Sequence, residues 1–368
     1  MRVIHDSDAA YEDIMALALL LLNADVVAVT VSYGESTPRI GALNLERVCR
    51  TLKPSARIPV AYGINEPVDL NFGTSFPEFI NKEADTILDD TDMITVADSE
   101  ITNSAVELLY KTLMSVDEKT TIVATGPLTN IAHLIVNHPD CIEKIEKLVI
   151  MGGAVNVPGN ISDLIHDTTN LVAEWNIYAD RKAADIVFSA KNLPIMLVPI
   201  DITRQMPMTR TFYEGLAHEE LPALKLVRQM LKFLLKGMGE TLFYDKLQFW
   251  DSLSAMITLK NSMAEFEELP IMVDLNTGQT KINAEQTAGV SPVCVATRLI
   301  NPEAAYDLFV TLMKTGSEIK YVPEQNMTSG SLSDVSPGML MRDRFFGENK
   351  PAMTGKETVY PVEHSMTI

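Results

Sequence analysis

The stretch Val3-Ile4-His5-Asp6-Ser7-Asp8-Ala9-Ala10-Tyr11-Glu12-Asp13, continuing through Ile14–Leu22 to Val26–Ser32, decides the fold class. Val3–His5 is a short β-type run, Asp13–Leu22 is helical in pattern, and Val26–Ser32 is a β-branched segment that reads as a buried strand. The same alternation continues along the chain. It predicts a helix over 38–52, a strand at Ile58–Ala61, and a helix over Ile101–Met114. Strands follow at Thr120–Thr125 and Lys147–Met151 with a helical segment between them, then a helix at Arg181–Phe188 and a strand at Ile195–Ile200. Leu269–Val273 and Val290–Ala296 read as strands, and Pro302–Lys314 as a helix with proline in its first turn. Strand–helix alternation of this kind predicts an α/β fold with a mostly parallel central sheet and flanking helices.

The chain has 368 residues, enough for one large domain or two ordinary ones. No internal repeat or Gly/Ser linker divides residues 1–315, which read as a single domain. Residues 316–368 are rich in Gly, Pro, Met and Ser with weak periodicity, and read as a loop-rich C-terminal extension or arm. The formal charge of −19 disfavours nucleic acid and anionic membrane as partners, because phosphate binding needs Lys and Arg. Cys49, Cys141 and Cys294 are scattered, without zinc-site or redox spacing, and read as free thiols in a reducing compartment. Ile14–Leu22 is too short to span a bilayer, and the first residues do not resemble a signal peptide. The cytoplasm is the expected location.

Parallel α/β sheets bind ligands at the carboxyl ends of their strands. The residues there are Asp6-Ser7-Asp8, Tyr33-Gly34-Glu35, Thr125-Gly126-Pro127, Met151-Gly152-Gly153 and Asp201-Ile202-Thr203, dominated by acids and small side chains. Asp6, Asp8, Glu12 and Asp13 place four carboxylates within eight residues where a strand gives way to a helix. A helix N-terminus favours each negative charge by only about 0.3–1 kcal/mol. Repulsion among four carboxylates exceeds that, and a hard cation with an all-oxygen shell, Ca²⁺ or Mg²⁺, resolves the conflict. A carboxylate beside such an ion can take a proton from bound water. A solvated acidic helix start is the other physical reading of the cluster. An aspartyl-nucleophile phosphatase would need a later Lys and a Gly-Asp-Gly-type acid motif, and no convincing set is present.

Three further segments narrow the choice. They are Val123-Ala124-Thr125-Gly126-Pro127-Leu128-Thr129-Asn130-Ile131, Val149-Ile150-Met151-Gly152-Gly153-Ala154-Val155-Asn156 and Ala173-Glu174-Trp175-Asn176-Ile177-Tyr178. Together with the first acids and Phe249-Trp250-Asp251, they closely resemble the nucleoside hydrolase family, most strongly its purine-preferring inosine–adenosine–guanosine branch, over about residues 1–314. The resemblance implies a Rossmann-like fold and a calcium-dependent enzyme, commonly a homodimer or homotetramer, that cleaves the N-glycosidic bond of a ribonucleoside to free base and ribose. It implies Asp8 as metal ligand and general base, with Asp13, Asp251 and the Thr125 carbonyl as further ligands and Asp6 in support. Asn160, Glu174 and Asn176 would bind the ribose hydroxyls, and Trp250 would stack on the base. An oxocarbenium-like sugar, stabilised by nearby carboxylates, is the expected transition state.

The chain departs from the family at several points. The first motif usually reads Asp-x-Asp-x-Gly/Asn-x-Asp-Asp; here Ala9-Ala10 fill its middle and Glu12, one methylene longer, stands for the third acid. The family uses that acid beside the ribose 2′-hydroxyl and the attacking water, so Glu12 is a candidate in both the catalytic and the sugar-binding set. Glu35 stands where others tend to carry Asn or Asp, and Trp250 where pyrimidine-accepting branches carry a leaving-group His. His5, His133, His138, His218 and His364 have no motif support as acids, while His166 lies in a loop that could close over the base. Phe79 is preferred to Phe76 as the second aromatic against the base, and Trp175, in an extended segment, would point into the core. The altered first motif and the long tail also admit a modified deazapurine nucleoside, such as queuosine, as substrate. A catalytically degenerate metal and nucleoside binder is the remaining reading, and the retention of Asp8, Asp13 and Asp251 argues against it.

Overall fold

A computed structural model describes residues 1–97, 101–165, 168–283 and 291–315. Its strands are β1 (Arg2–Ser7), β2 (Asp25–Val31), β3 (Val60–Tyr62), β4 (Thr102–Asn103), β5 (Thr120–Ala124), β6 (Ile145–Met151), β7 (Ile195–Val198), β8 (Ala264–Leu269), β9 (Ile271–Val273), β10 (Thr280–Ile282) and β11 (Val293–Leu299). Nine form one sheet in the order β4-β3-β2-β1-β5-β6-β7-β11-β8. Every neighbouring pair is parallel except β11 with β8, the antiparallel edge. β9 and β10 pair separately as an antiparallel ribbon. The expected α/β class and mostly parallel sheet are therefore what the chain adopts.

Both faces of the sheet are covered, and for that reason the central strands carry buried apolar runs rather than an apolar–polar alternation, with polar residues gathered toward their ends. Ile4, Val29, Ile122, Val123, Val149, Ile150 and Leu197 are all fully buried. Helices Ala105–Met114, Thr129–Asn137 and Arg181–Phe188 pack on one face through Leu109, Leu113, Ile131, Leu134, Val187 and Phe188. Helices Tyr11–Asn23, Pro222–Met238, Trp250–Leu259 and Pro302–Thr315 form a second layer of mutually packed elements, with Trp250–Leu259 against β5 and β6. Phe249, fully buried, anchors the start of Trp250–Leu259 by edge-on contacts with Phe212, Tyr306 and Phe309.

The strand order places the functional end. The chain runs outward from β1 through β2, β3 and β4, then returns to lay β5 on the other side of β1. That reversal opens a crevice beyond the carboxyl ends of β1 and β5, the place where such sheets bind ligands.

Several local expectations shift. The strand expected at Ile195–Ile200 stops at Val198 because Pro199 lacks an amide hydrogen, and a short helix begins at Ile200. Leu269–Val273 is split at Pro270 between the edge strand β8 and the ribbon strand β9. The last sheet strand lies at Val293–Leu299 rather than Val290–Ala296, and residue 290 falls outside the described residues. The extension expected over 316–368 also lies outside them. Among the described residues no helix is long and apolar enough to cross a membrane.

Candidate active site

β1 ends in a sharp change of direction. Ala9 adopts a left-handed conformation at φ 60°, unusual for a residue with a side chain, and the helix Tyr11–Asn23 starts directly after it. Asp13 sits in the first turn, where its Oδ2 accepts the Ala10 amide at 2.8 Å. Its Oδ1 accepts the Thr125 hydroxyl at 2.5 Å, tying the helix to the end of β5. The Thr125 amide in turn donates to the Asp6 carbonyl at 2.9 Å. Asp8 lies between these strands. Its Oδ2 accepts the Glu35 amide at 2.8 Å, and its carbonyl accepts the Ser36 hydroxyl at 2.6 Å. Gly34 and Gly126 permit this closeness: a side-chain carbon at either would collide with Asp8.

Period-two alternation along β1 sends Asp6 and His5 to opposite faces. Asp6 Oδ1 accepts Thr30 Oγ1 at 2.6 Å and Asn130 Nδ2 at 2.8 Å, so it supports the strand ends from behind. His5 Nε2 lies 2.9 Å from the Thr125 hydroxyl. Burial pushes the His5 imidazole down to about 3, which leaves it neutral.

A cavity of about 460 Å³ opens above these residues. It is lined at its floor by Asp8, Glu12, Asp13, Thr125 and Asp251, and on another wall by Asn160, Glu174 and Asn176. Tyr11, Phe79, Ile80, Trp175, Leu242 and Trp250 give it an apolar side. A concave, mostly apolar space with a few converging polar groups is the ordinary form of a small-molecule site.

The floor is crowded with acidic groups whose charged forms are disfavoured without a cation. Burial, and then the neighbouring Asp13, push Asp8 well above the usual carboxylate range. Burial raises Asp13 to about 7 and Glu12 to about 8. Asp251 is raised well above its ordinary value by burial and by Asp13, Glu12 and Asp8. Lys246 is the one cationic side chain of the lining, and it is engaged by Asp163 at 2.7 Å. The donors are therefore buried carboxylates and a main-chain carbonyl with no cation of their own, a set that fits a hard divalent ion. Among the described residues, however, no three carboxylate, imidazole or thiolate side chains already converge on one metal position. The Thr125 carbonyl accepts Asn176 Nδ2 at 2.9 Å.

Glu174 caps the short helix Trp175–Ala179, accepting the Asn176 amide at 2.9 Å through Oε1 and the Gly153 and Ile177 amides at 2.9 and 3.2 Å through Oε2. Asn160 Oδ1 accepts the Trp175 amide at 3.1 Å. The segment expected to be extended is thus helical. Trp175 does stack in the core on Phe76, with ring centroids 4.7 Å apart, but it also contributes to the cavity wall. Phe79 is 61% exposed at the cavity while Phe76 is buried. His166 lies outside the described residues.

Three contributors escaped the sequence reading. Ser252 donates to Glu12 Oε2 at 2.8 Å. Glu83 shares a helix face with Phe79 at i+4 spacing, a signal that was available once Glu78–Thr86 was read as helix. His5 bears on Thr125, and only its neighbouring position to Asp6 hinted at it.

Residues 3–307 match the profile of the family described as inosine-uridine preferring nucleoside hydrolase. The chain belongs to this family. As a nucleoside hydrolase it is an enzyme that cleaves the N-glycosidic bond of a ribonucleoside. It is 35% identical over 237 residues to the pyrimidine-specific ribonucleoside hydrolase RihA of Shewanella oneidensis, covering 63% of this chain and 69% of that protein. The plant nucleoside hydrolase PpNRh1 superposes with a TM-score of 0.72 at 25% identity, over 85% of this chain and 98% of that one. The inosine-uridine preferring nucleoside hydrolase of Bacillus anthracis superposes with a TM-score of 0.71 at 24% identity, over 85% and 99%, a likeness of fold.

Proposed function

We propose that this nucleoside hydrolase binds Ca²⁺ and releases a purine or purine-like base from a ribonucleoside. The observation that carries the reading is that one cavity has carboxylates at one end, polar side chains fit for sugar hydroxyls in the wall and Trp250 and Phe79 beside them. Asp8, Asp13, Asp251 and the Thr125 carbonyl would hold the ion, which supplies an acidified water and an anchor for the sugar diol. Asp8 accepts the proton of the attacking water, and Glu12 steadies that water and the ribose 2′-hydroxyl. Glu174 keeps a lone pair on Oε1 for a ribose hydroxyl after its helix-capping bonds, and Asn160 offers its amide nitrogen. Asn176 donates Nδ2 to the Thr125 carbonyl and would offer Oδ1 to a ribose hydroxyl. Trp250 and Phe79 enclose the base. An unpaired polar group in such an enclosure costs about 1–3 kcal/mol, so the hydroxyls of ribose and not of deoxyribose match the wall.

A second reading keeps the reaction and changes the base. Glu35 and Glu83 line the same cavity, and among the described residues its one cationic lining side chain, Lys246, is engaged by Asp163. The two glutamates favour a modified deazapurine nucleoside carrying an amine, as queuosine does. A degenerate metal and nucleoside binder would need the ligands of the ion but not a water-activating base, the part assigned to Asp8. The test is a panel of inosine, adenosine, guanosine, uridine, cytidine and queuosine incubated with Ca²⁺, with base release followed by chromatography. Release of purines or queuine and not of pyrimidines is expected. Release of pyrimidines alone, as the name of the Shewanella relative would suggest, overturns the assignment of the base, and no release from any nucleoside overturns the reaction.

A further inference from the structure

His5 is fully buried on β1, does not line the cavity, and bonds with one ring nitrogen only. Its Nε2 lies 2.9 Å from Thr125 Oγ1, and that hydroxyl lies 2.5 Å from Asp13 Oδ1. Its Nδ1 is buried and has no hydrogen-bond partner. The parallel pairing of β1 with β5 sets His5 opposite Val123, two residues before Thr125, so the imidazole reaches the hydroxyl from rigid backbone.

The direction of the chain follows from the inventory of donors. An Asp13 carboxylate that holds a cation is an acceptor only, so the single hydroxyl hydrogen of Thr125 goes to Asp13. Oγ1 is then left as an acceptor toward the ring, and His5 must carry its hydrogen on Nε2. An aliphatic side chain would occupy the same buried position without burying an unpaired Nδ1. The polar atom that justifies an imidazole here is Nε2.

We propose that His5 is a positioning residue for the cation end of the site: its Nε2–H pins the Thr125 hydroxyl, which holds the Asp13 carboxylate in the orientation that receives the ion. The proposal rests on the assignment of Asp13 and Thr125 as ligands of the ion. Asp13 is gripped at both oxygens, by the Ala10 amide on Oδ2 and by Thr125 on Oδ1. The second grip depends on a rotatable hydroxyl, and a threonine hydroxyl without a fixed donor has nearby main-chain carbonyls as rival acceptors. His5 removes that freedom. The same residue supplies the Thr125 carbonyl, so two of the expected ligands are steadied at once.

The test is calorimetric titration of the full-length protein with CaCl₂ after chelation, for wild type, His5→Leu, His5→Gln, Thr125→Val and the double variant His5→Leu/Thr125→Val. Loss of a supporting partner to a metal ligand typically weakens affinity by about 10- to 100-fold, and this is expected for His5→Leu. His5→Gln, whose side-chain amide can donate to Oγ1, is expected to recover most of the affinity. His5→Leu is expected to add nothing in the Thr125→Val background, because its partner is already gone. At saturating Ca²⁺ the KM for nucleoside is expected to be unchanged in His5→Leu, since His5 does not line the cavity. Wild-type affinity in His5→Leu, or additive losses in the double variant, overturns the proposal. If His5→Leu does not fold, Thr125→Val must lose the affinity and His5→Gln must keep it; the opposite pattern overturns the proposal equally. A wild-type protein that takes up no Ca²⁺ overturns both this proposal and the assignment of the ion. A wild-type protein that binds Ca²⁺ but cleaves no nucleoside overturns only the proposed reaction.

Discussion

Replacing Glu12 with Asp isolates the feature that most distinguishes this site. Glu12 is 2% exposed, and its Oε2 accepts the Ser252 hydroxyl across two packed helices at 2.8 Å. The shorter side chain withdraws the carboxylate by about 1.5 Å, one carbon–carbon bond, and opens that contact to about 4.3 Å, beyond hydrogen-bond reach. A hydrogen bond to a charged group is worth about 1.5–3 kcal/mol and a buried methylene about 0.8 kcal/mol, so Glu12→Asp is expected to cost about 2–4 kcal/mol of stability. Ser252, itself fully buried, loses its partner, so Ser252→Ala should cost little more in the Glu12→Asp background than the first substitution alone. Urea unfolding of the two single variants and the double variant, with Ca²⁺ present, measures both quantities. The activity arm uses inosine and queuosine. The shorter acid restores the spacing typical of the family, so kcat/KM for inosine should rise while that for the bulkier nucleoside falls. A stability loss below about 0.5 kcal/mol, the range of an ordinary surface substitution, together with an unchanged substrate ratio would refute the account of Glu12.

Further outcomes follow from the same geometry. Asp8→Asn should lower kcat by about 10²–10⁴-fold, the usual contribution of a general base, and with Ca²⁺ chelated it should not lower the melting temperature, since burial already disfavours the charged form of Asp8; intact turnover would make the assignment wrong. Removing Ca²⁺ with a chelator should lower the melting temperature, because an ion held at about 100 times its Kd stabilises the folded state by about 2.7 kcal/mol; scanning fluorimetry with and without CaCl₂ reads this. Gly34→Ala places a methyl group against the Asp8 carboxylate and should cost about 1–3 kcal/mol together with most of the activity; a variant with wild-type stability and turnover would refute the close approach. Trp250→Ala should raise the KM for nucleoside with little change in Ca²⁺ affinity, because its side chain lines the cavity and is not itself one of the expected ligands.

The sheet was legible because its signal is local. A central strand covered on both faces is apolar over most of its length, and Val26–Val29 and Leu148–Met151 are. The helices over 38–52 and 181–188 fall where their periodicity places them. The edges were less legible. Pro199 and Pro270 cut apolar runs that composition alone reads as continuous. Glu174-Trp175-Asn176 illustrates the limit at the site: alternation implied an extended segment, but Glu174 accepts three amides and winds the next residues into a helical turn. A side chain that satisfies backbone donors changes the local geometry, and no periodicity carries that information.

The sequence by itself determined the fold class and pointed to the acids after β1, because strand–helix alternation and a concentration of like charge are both properties of neighbouring residues. Only the tertiary structure decided which groups meet. The return of the chain to lay β5 beside β1 brings Thr125 from 112 positions away onto Asp13. The packing of Trp250–Leu259 on Tyr11–Asn23 brings Ser252 onto Glu12. His5 became part of the site in the same way, through a hydrogen bond that depends on strand register. Hydrogen bonds reach about 3 Å, and which donors and acceptors come within that distance is set by sheet order and helix packing rather than by spacing along the chain.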